Sequence, residues 1–260
     1  MLLNYQQKQT SLPETDQKTD NIFVIHGLFG SLSNLSGISK ALQAQYNVIA
    51  VDLRNHGDSP HAKTASYQEM ASDIFELADK LDIDTFSVLG HSMGGKVAMS
   101  CALQQPERIN KLVVVDMAPI NYANKHQDVF DGLLAVTANN ITSRKSADQI
   151  LSKYVFPLET RQFLLKSLVN KEGNYQFKFN VPDIIANYDL MKAWPIFEHV
   201  FTKEVLFIKG GNSDYIGPEA YQPTLALFPN AKAKTIENTG HWVHAEKAKT
   251  FERIVLKFFS

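Results

Sequence analysis

Short apolar runs recur along the chain, and each ends on a polar or glycine residue. Ile22-Phe23-Val24-Ile25 leads into His26-Gly27, Tyr46 to Val51 into Asp52, and Phe86 to Leu89 into Gly90. Leu112 to Val115 leads into Asp116, and Val205 to Ile208 into Lys209-Gly210. Such nearly all-apolar runs fit strands buried on both faces of a parallel sheet. Helical periodicity fills the gaps. Leu32 to Gln45 is one such segment, and Ser66 to Leu81 is another, with Met70, Ile74, Leu77 and Leu81 on one face. Gly94 to Gln105 is a third, stopped by Pro106. Alternating strand and helix predict a doubly wound α/β sheet.

The alternation breaks between about Met117 and Lys203. Helical patterns dominate there, including one over Glu159 to Val169 that Gly173 closes. Tyr175, Phe177 and Phe179 alternate as in a short extended piece. An insertion of this size after a core strand forms a lobe over the strand ends, where open α/β sheets bind ligands. The expected organisation is a core of residues 1–120 and 204–260, with a helical cap over 121–203 inserted before the last two core strands. Gln6 to Asp20 is polar and reads as a surface loop or weak hairpin.

Composition narrows the function classes. A net charge of −1 over 260 residues leaves no electrostatic footprint for nucleic acid or an anionic membrane. The single cysteine, Cys101, excludes an intrachain disulfide and any zinc site built from several thiolates. Met1 to Tyr5 is too short for a signal-peptide core, and no apolar run is long enough for a membrane helix. A cytoplasmic globular protein is the expectation.

The chemistry concentrates in three places. Gly90-His91-Ser92-Met93-Gly94 stands directly between an apolar strand and a helix. A G-x-S-x-G at that junction is a nucleophile elbow, a sharp turn that lifts the serine hydroxyl above the sheet. It also leaves the Met93 amide at a helix N-terminus, facing a ligand. His26-Gly27-Leu28-Phe29-Gly30 ends the first clear strand, where glycines let amides approach an anion. Leu28 is the second oxyanion donor that this loop would supply. Gly240-His241-Trp242 follows the expected last strand, Ala233 to Glu237.

A serine needs a base poised near neutrality, and eight histidines compete for that role. His91 adjoins the serine but should point away from it. His26 packs beneath the site, and His56, His61, His126 and His199 lack supporting context. His244 opens the final helix. The chain order serine, acid, histidine selects His241. For the acid, both Asp116 and Asp214 sit at strand ends. Asp52-Leu53-Arg54-Asn55-His56-Gly57 reads as a structural loop.

These stretches resemble the α/β-hydrolase superfamily, and within it the small bacterial esterases of the YbfF type. The likeness continues past the elbow through Gly95-Lys96, and extends to Val113-Val114-Val115-Asp116-Met117-Ala118-Pro119, Gly210-Gly211-Asn212-Ser213 and Gly240-His241-Trp242-Val243-His244-Ala245. It implies the α/β-hydrolase fold, Asp116 as the acid, and hydrolysis of carboxylic esters, extending to acyl thioesters. The expected chemistry requires no metal or organic cofactor, and the expected partner is a small-molecule ester or thioester substrate, with no nucleic acid or membrane. Dehalogenases and epoxide hydrolases of this fold carry aspartate at the elbow, so Ser92 argues against both. A C–C bond hydrolase, a perhydrolase and a non-catalytic small-molecule receptor on the same fold are the alternative readings.

Overall fold

The computed structural model describes residues 1–10 and 20–260. Its central sheet has seven strands in the order β1-β3-β2-β4-β5-β8-β9. They are β1 (Tyr5–Lys8), β2 (Asn21–Ile25), β3 (Asn47–Val51), β4 (Phe86–His91), β5 (Ile109–Val115), β8 (Glu204–Gly210) and β9 (Ala231–Ile236). All neighbours pair in parallel except β1, which runs antiparallel to β3. The expected loop at Gln6 to Asp20 is therefore corrected at its start: Gln6, Gln7 and Lys8 belong to an edge strand. Edge position explains the polar sequence, since neither face of β1 is sealed. The rest of that stretch, 11–19, lies outside the described residues.

Consecutive strand residues serve two separate cores, as the pleat requires. Phe23, Ile25, Val88, Leu112, Val114, Val205 and Phe207 pack on one face with α2 (Tyr67–Lys80) and α3 (Met93–Gln104). Ile22, Val24, Leu89, Val113, Val115, Leu206 and Ile208 pack on the other, against α1 (Ser36–Gln43) and α11 (Ala248–Phe259). On α11 the buried Phe251, Val255 and Phe259 recur every four residues and form one stripe. A capping box opens α2: Ser66 Oγ accepts from Glu69 N, and Glu69 Oε2 accepts from Ser66 N at 2.9 Å.

Between β5 and β8 the chain forms α4 (Gln127–Thr137), α5 (Arg144–Leu151), α6 (Leu158–Lys166), the hairpin β6 (Leu168–Lys171) and β7 (Asn174–Phe177), α7 (Val181–Ala186) and α8 (Tyr188–Lys192). The helix expected through Val169 stops at Lys166. Leu168 and Val169 enter β6 instead, and Gly173, at φ +92°, turns the hairpin rather than ending a helix. β-branching at Val169 and the Glu172-Gly173 turn, both residues at positive φ, are the local reasons. After β8 come α9 (Tyr221–Leu227) and, past β9, the short α10 (Val243–Glu246). Among the described residues no helix is long and apolar enough to cross a membrane.

Candidate active site

Ser92 sits between β4 and α3 with φ +55° and ψ −123°, a conformation L-residues rarely hold. Packing on both sides enforces it. A Cβ at Gly90 would overlap the Gly94 carbonyl, and one at Gly94 would overlap the carbonyls of Ile25 and His26. Only glycine lets β4, α3 and the end of β2 converge this closely. The Ser92 amide donates to Val115 O at 2.9 Å, which ties the turn to β5.

Asp116 follows β5 and is completely buried. Its carboxylate accepts from Gly210 N at 2.9 Å, from the Ser213 hydroxyl, and from His241 Nδ1 at 2.7 Å. A carboxylate partner fixes the His241 tautomer: Nδ1 carries the proton and Nε2 is left as a base. Three donors satisfy the buried charge. Asp214, the rival acid, is placed elsewhere. Its side chain is 80% exposed and pairs with Lys125 Nζ at 2.7 Å. The hydrogen bond from Lys125 holds that carboxyl below its usual range.

Ser92 and His241 line one cleft of about 980 Å³, open mouth included. Gly27, Leu28 and Met93 line it as well. A Cβ added to Gly27 would stand 3.1 Å from Ser92 Cβ, so the loop after β2 lies against the nucleophile turn. Two neutral histidines shape that loop. His56 Nε2 accepts from Phe29 N at 3.1 Å, while His26 Nε2 accepts from Leu53 N at 3.0 Å. Burial pushes His56 down to about 3 and lowers His26 as well. With the Phe29 amide engaged and Gly30 N bonded to Gly27 O, the Leu28 N–H has no protein acceptor among the described residues. Met93 is the first residue of α3, where amides have no intrahelical partner.

His91 was expected to point away from Ser92. It turns under the cleft, and its Nε2–H donates to His241 O at 2.9 Å. Its ring lies between those of His241 and His244, at 4.8 and 4.5 Å. Burial drives His91 well below its ordinary range and His244 to about 4.

Several cleft residues had no signal in the sequence. His126, dismissed for want of context, lines the cleft and bonds Tyr188 Oη at 2.6 Å through Nδ1. Tyr215 stacks on His241, and Lys96 is buried beneath the cleft wall. Ser213 stood inside a recognisable stretch, but only the register of β8 beside β5 brings it to Asp116. Among the described residues no group of three or more His, Cys, Asp or Glu could hold a metal ion.

Known proteins resemble this chain over most of its length. Esterase YbfF of Escherichia coli (strain K12) is 38% identical over 243 residues, spanning 92% of this chain and 92% of the relative. The sn-1-specific diacylglycerol lipase ABHD11 of Mus musculus is 36% identical, over 96% of this chain and 84% of the lipase. Among solved structures, a marine microorganism esterase superposes with a TM-score of 0.90 at 32% identity, covering 99% of both chains. The family described as alpha/beta hydrolase fold matches residues 20–248, more than half of the sequence, and the chain belongs to that family.

Proposed function

We propose that the chain is a serine carboxylesterase working through Ser92, His241 and Asp116. That it is an ester-hydrolysing α/β hydrolase rests on relatives named esterase and lipase along its whole length. The observation that carries the finer reading is the 2.7 Å bond from His241 Nδ1 to buried Asp116, in the same cleft as a serine held at φ +55°. His241 Nε2 takes the Ser92 proton as Oγ attacks the acyl carbon. The N–H groups of Leu28 and Met93 receive the developing oxyanion, where losing one donor costs about 3 to 4 kcal/mol. His241 then protonates the leaving alcohol, and water repeats the cycle on the acyl-enzyme. Residues 121–203 act as a cap over a core of 1–120 and 204–260, since Tyr122, His126, Phe163 and Met191 supply cleft wall from that segment.

Fluorophosphonate labelling tests the nucleophile. The expected result is one label per chain, with Ser92→Ala abolishing both labelling and turnover of an aryl ester. Label retained in Ser92→Ala would place the nucleophile elsewhere.

Acyl thioesters undergo the same two-step chemistry, and an acyl-CoA brings a polyanionic leaving group. The segment 117–203 holds ten Lys and Arg against eight Asp and Glu. Exposed charge contacts are screened beyond about 8 Å at physiological ionic strength. KM for an acyl-CoA should therefore climb with NaCl while KM for a neutral aryl ester stays level. Equal salt dependence for both substrates removes the thioester reading.

A further inference from the structure

Lys96 lies on α3, one helical turn beyond Ser92, and is wholly buried. Its Nζ donates to Ala193 O at 2.9 Å and Lys192 O at 3.2 Å. The rings of Tyr122, Tyr67 and Trp194 surround it, with centroids at 4.7, 5.3 and 5.9 Å. Among the described residues no carboxylate lies within ion-pair distance of it. The other two lysines that line the cleft do have such partners: Lys125 pairs with Asp214 and Lys192 with Asp189, both at 2.7 Å. Among the described residues no Asp or Glu lines the cleft.

A buried, unpaired ammonium is costly. Holding α8 through two carbonyls explains two of its three hydrogens, and neutral glutamine would serve that purpose without the charge. Among the described residues, an ammonium with no carboxylate partner thus stands in an aromatic corner of the cleft, with Tyr67 and Tyr122 lining the cleft beside it and the Trp194 ring behind. Such a corner suits an acceptor that is planar, compact and singly negative.

We propose that Lys96 recognises a carboxylate carried by the substrate, within a few bonds of the scissile carbonyl. The substrate class is then an ester with a free carboxylate, not a simple neutral ester. This deepens the esterase reading and rests on it. Ser92 immediately precedes α3 and Lys96 lies in its first turn, and both line the same cleft, so the two groups are close and short chains are favoured. Cation–π contact with three rings holds the ammonium in place while the cleft is open to water. Burial alone pushes Lys96 down to about 7, and an arriving anion would restore its full charge.

The test compares esters differing only in the distal group. 4-Nitrophenyl hemi-esters of succinic, glutaric and adipic acid are set against the neutral butyrate, pentanoate and hexanoate. A second arm uses acetyl esters of short hydroxy acids against acetyl esters of neutral alcohols, which places the carboxylate on the alcohol side. In at least one arm wild-type kcat/KM should favour the carboxylate by tenfold or more, and in Lys96→Met that ratio should fall at least tenfold. Calorimetry of glutarate with the wild-type chain and with Lys96→Met gives a readout independent of turnover. Binding is expected only to the wild type. A wild-type preference for the neutral ester in both arms overturns the proposal, as does an unchanged ratio in Lys96→Met. Glutarate binding without turnover of any ester would sink the esterase reading and leave the anion site standing.

Discussion

The Tyr215 ring stacks on the His241 imidazole, with centroids 4.0 Å apart and planes 20° from parallel. Its own position is fixed three ways. Tyr122 Oη donates to Tyr215 O at 2.7 Å, the Tyr215 amide donates to Ser213 Oγ at 3.3 Å, and Lys125 Nζ lies 4.7 Å from the ring centroid. Asp116 holds one edge of the imidazole and Tyr215 holds its face. Loss of the face contact leaves the ring free to tilt about the Asp116 bond.

Tyr215→Leu should therefore lower kcat for an aryl ester by about 10- to 100-fold, the scale on which small misplacements of a catalytic group act. KM should move much less, and Tyr215→Phe, which keeps the stacked ring, should lose far less than the leucine variant. Steady-state kinetics on the three proteins checks this. Equal losses in the Phe and Leu variants would assign the effect to the hydroxyl instead.

The two aspartates should separate by orders of magnitude. Asp116→Asn removes the charge that orients His241 and stabilises its protonated form, a change costing roughly 10⁴ in a comparable triad. Asp214→Asn touches only an exposed pair with Lys125, worth about 0 to 1 kcal/mol, and should stay within a few-fold of wild type. Measured kcat values with the ranking reversed would move the acid to the loop after β8.

Ser92, Asp116 and His241 stand out in the sequence because Ser92 and Asp116 directly follow apolar strands and His241 sits in the tight Gly240-His241-Trp242 motif. The sheet was legible for a related reason: its inner strands β2 to β5 and β8 are mostly apolar on both faces, whereas the edge strands β1 and β9 are largely exposed, and β1 escaped. Helix α6 was overrun because Leu168 and Val169 continue its apolar pattern into β6, where pairing to Phe177 and Gln176 decides the conformation. Tyr215, His126 and Lys96 were illegible because their roles arise from contacts across long sequence distances. Tyr122, Tyr188 and Trp194 come from three separate parts of the insertion, and no local pattern predicts which side chains they enclose.

Acid should unfold the protein cooperatively through its histidines. His26, His56, His91, His126 and His244 are all held below the ordinary histidine value, in each case chiefly by burial. Groups with depressed folded values bind protons more readily when unfolded, so stability falls as pH drops below about 6.5. At pH 5 the three held near 3 to 4, His56, His126 and His244, should together take up about three protons on unfolding, a slope of about 4 kcal/mol per pH unit, with His26 and His91 acting in the same direction. Against a typical total of about 5 to 15 kcal/mol, the transition should be complete within two or three pH units. Circular dichroism against pH checks it, and a stability curve flat from pH 7 to 4.5 would contradict the neutral-histidine assignment.

Lys96 should give the opposite end of the pH range its own signature. Its folded value is lowered to about 7 by burial, while an unfolded lysine titrates near 10.4. Between those values the unfolded chain holds a proton that the folded chain has released. Wild-type stability should therefore rise with pH across that window, relative to Lys96→Met, by at most about 1.4 kcal/mol per pH unit. The histidines cancel in this difference, because both proteins carry them and they are already neutral. Comparing Tm at pH 7.5 and 9.5 reads the effect at roughly 2 to 4 °C per kcal/mol for a chain of this size class. The two hydrogen bonds to Lys192 O and Ala193 O can offset the melting points of the two proteins at any one pH, but a constant offset does not change the slope. Parallel Tm curves for wild type and Lys96→Met would mean that the ammonium keeps its proton in the folded protein. That outcome requires a permanent counter-charge or water beside Lys96, and the corner would then have no charge left for a substrate carboxylate.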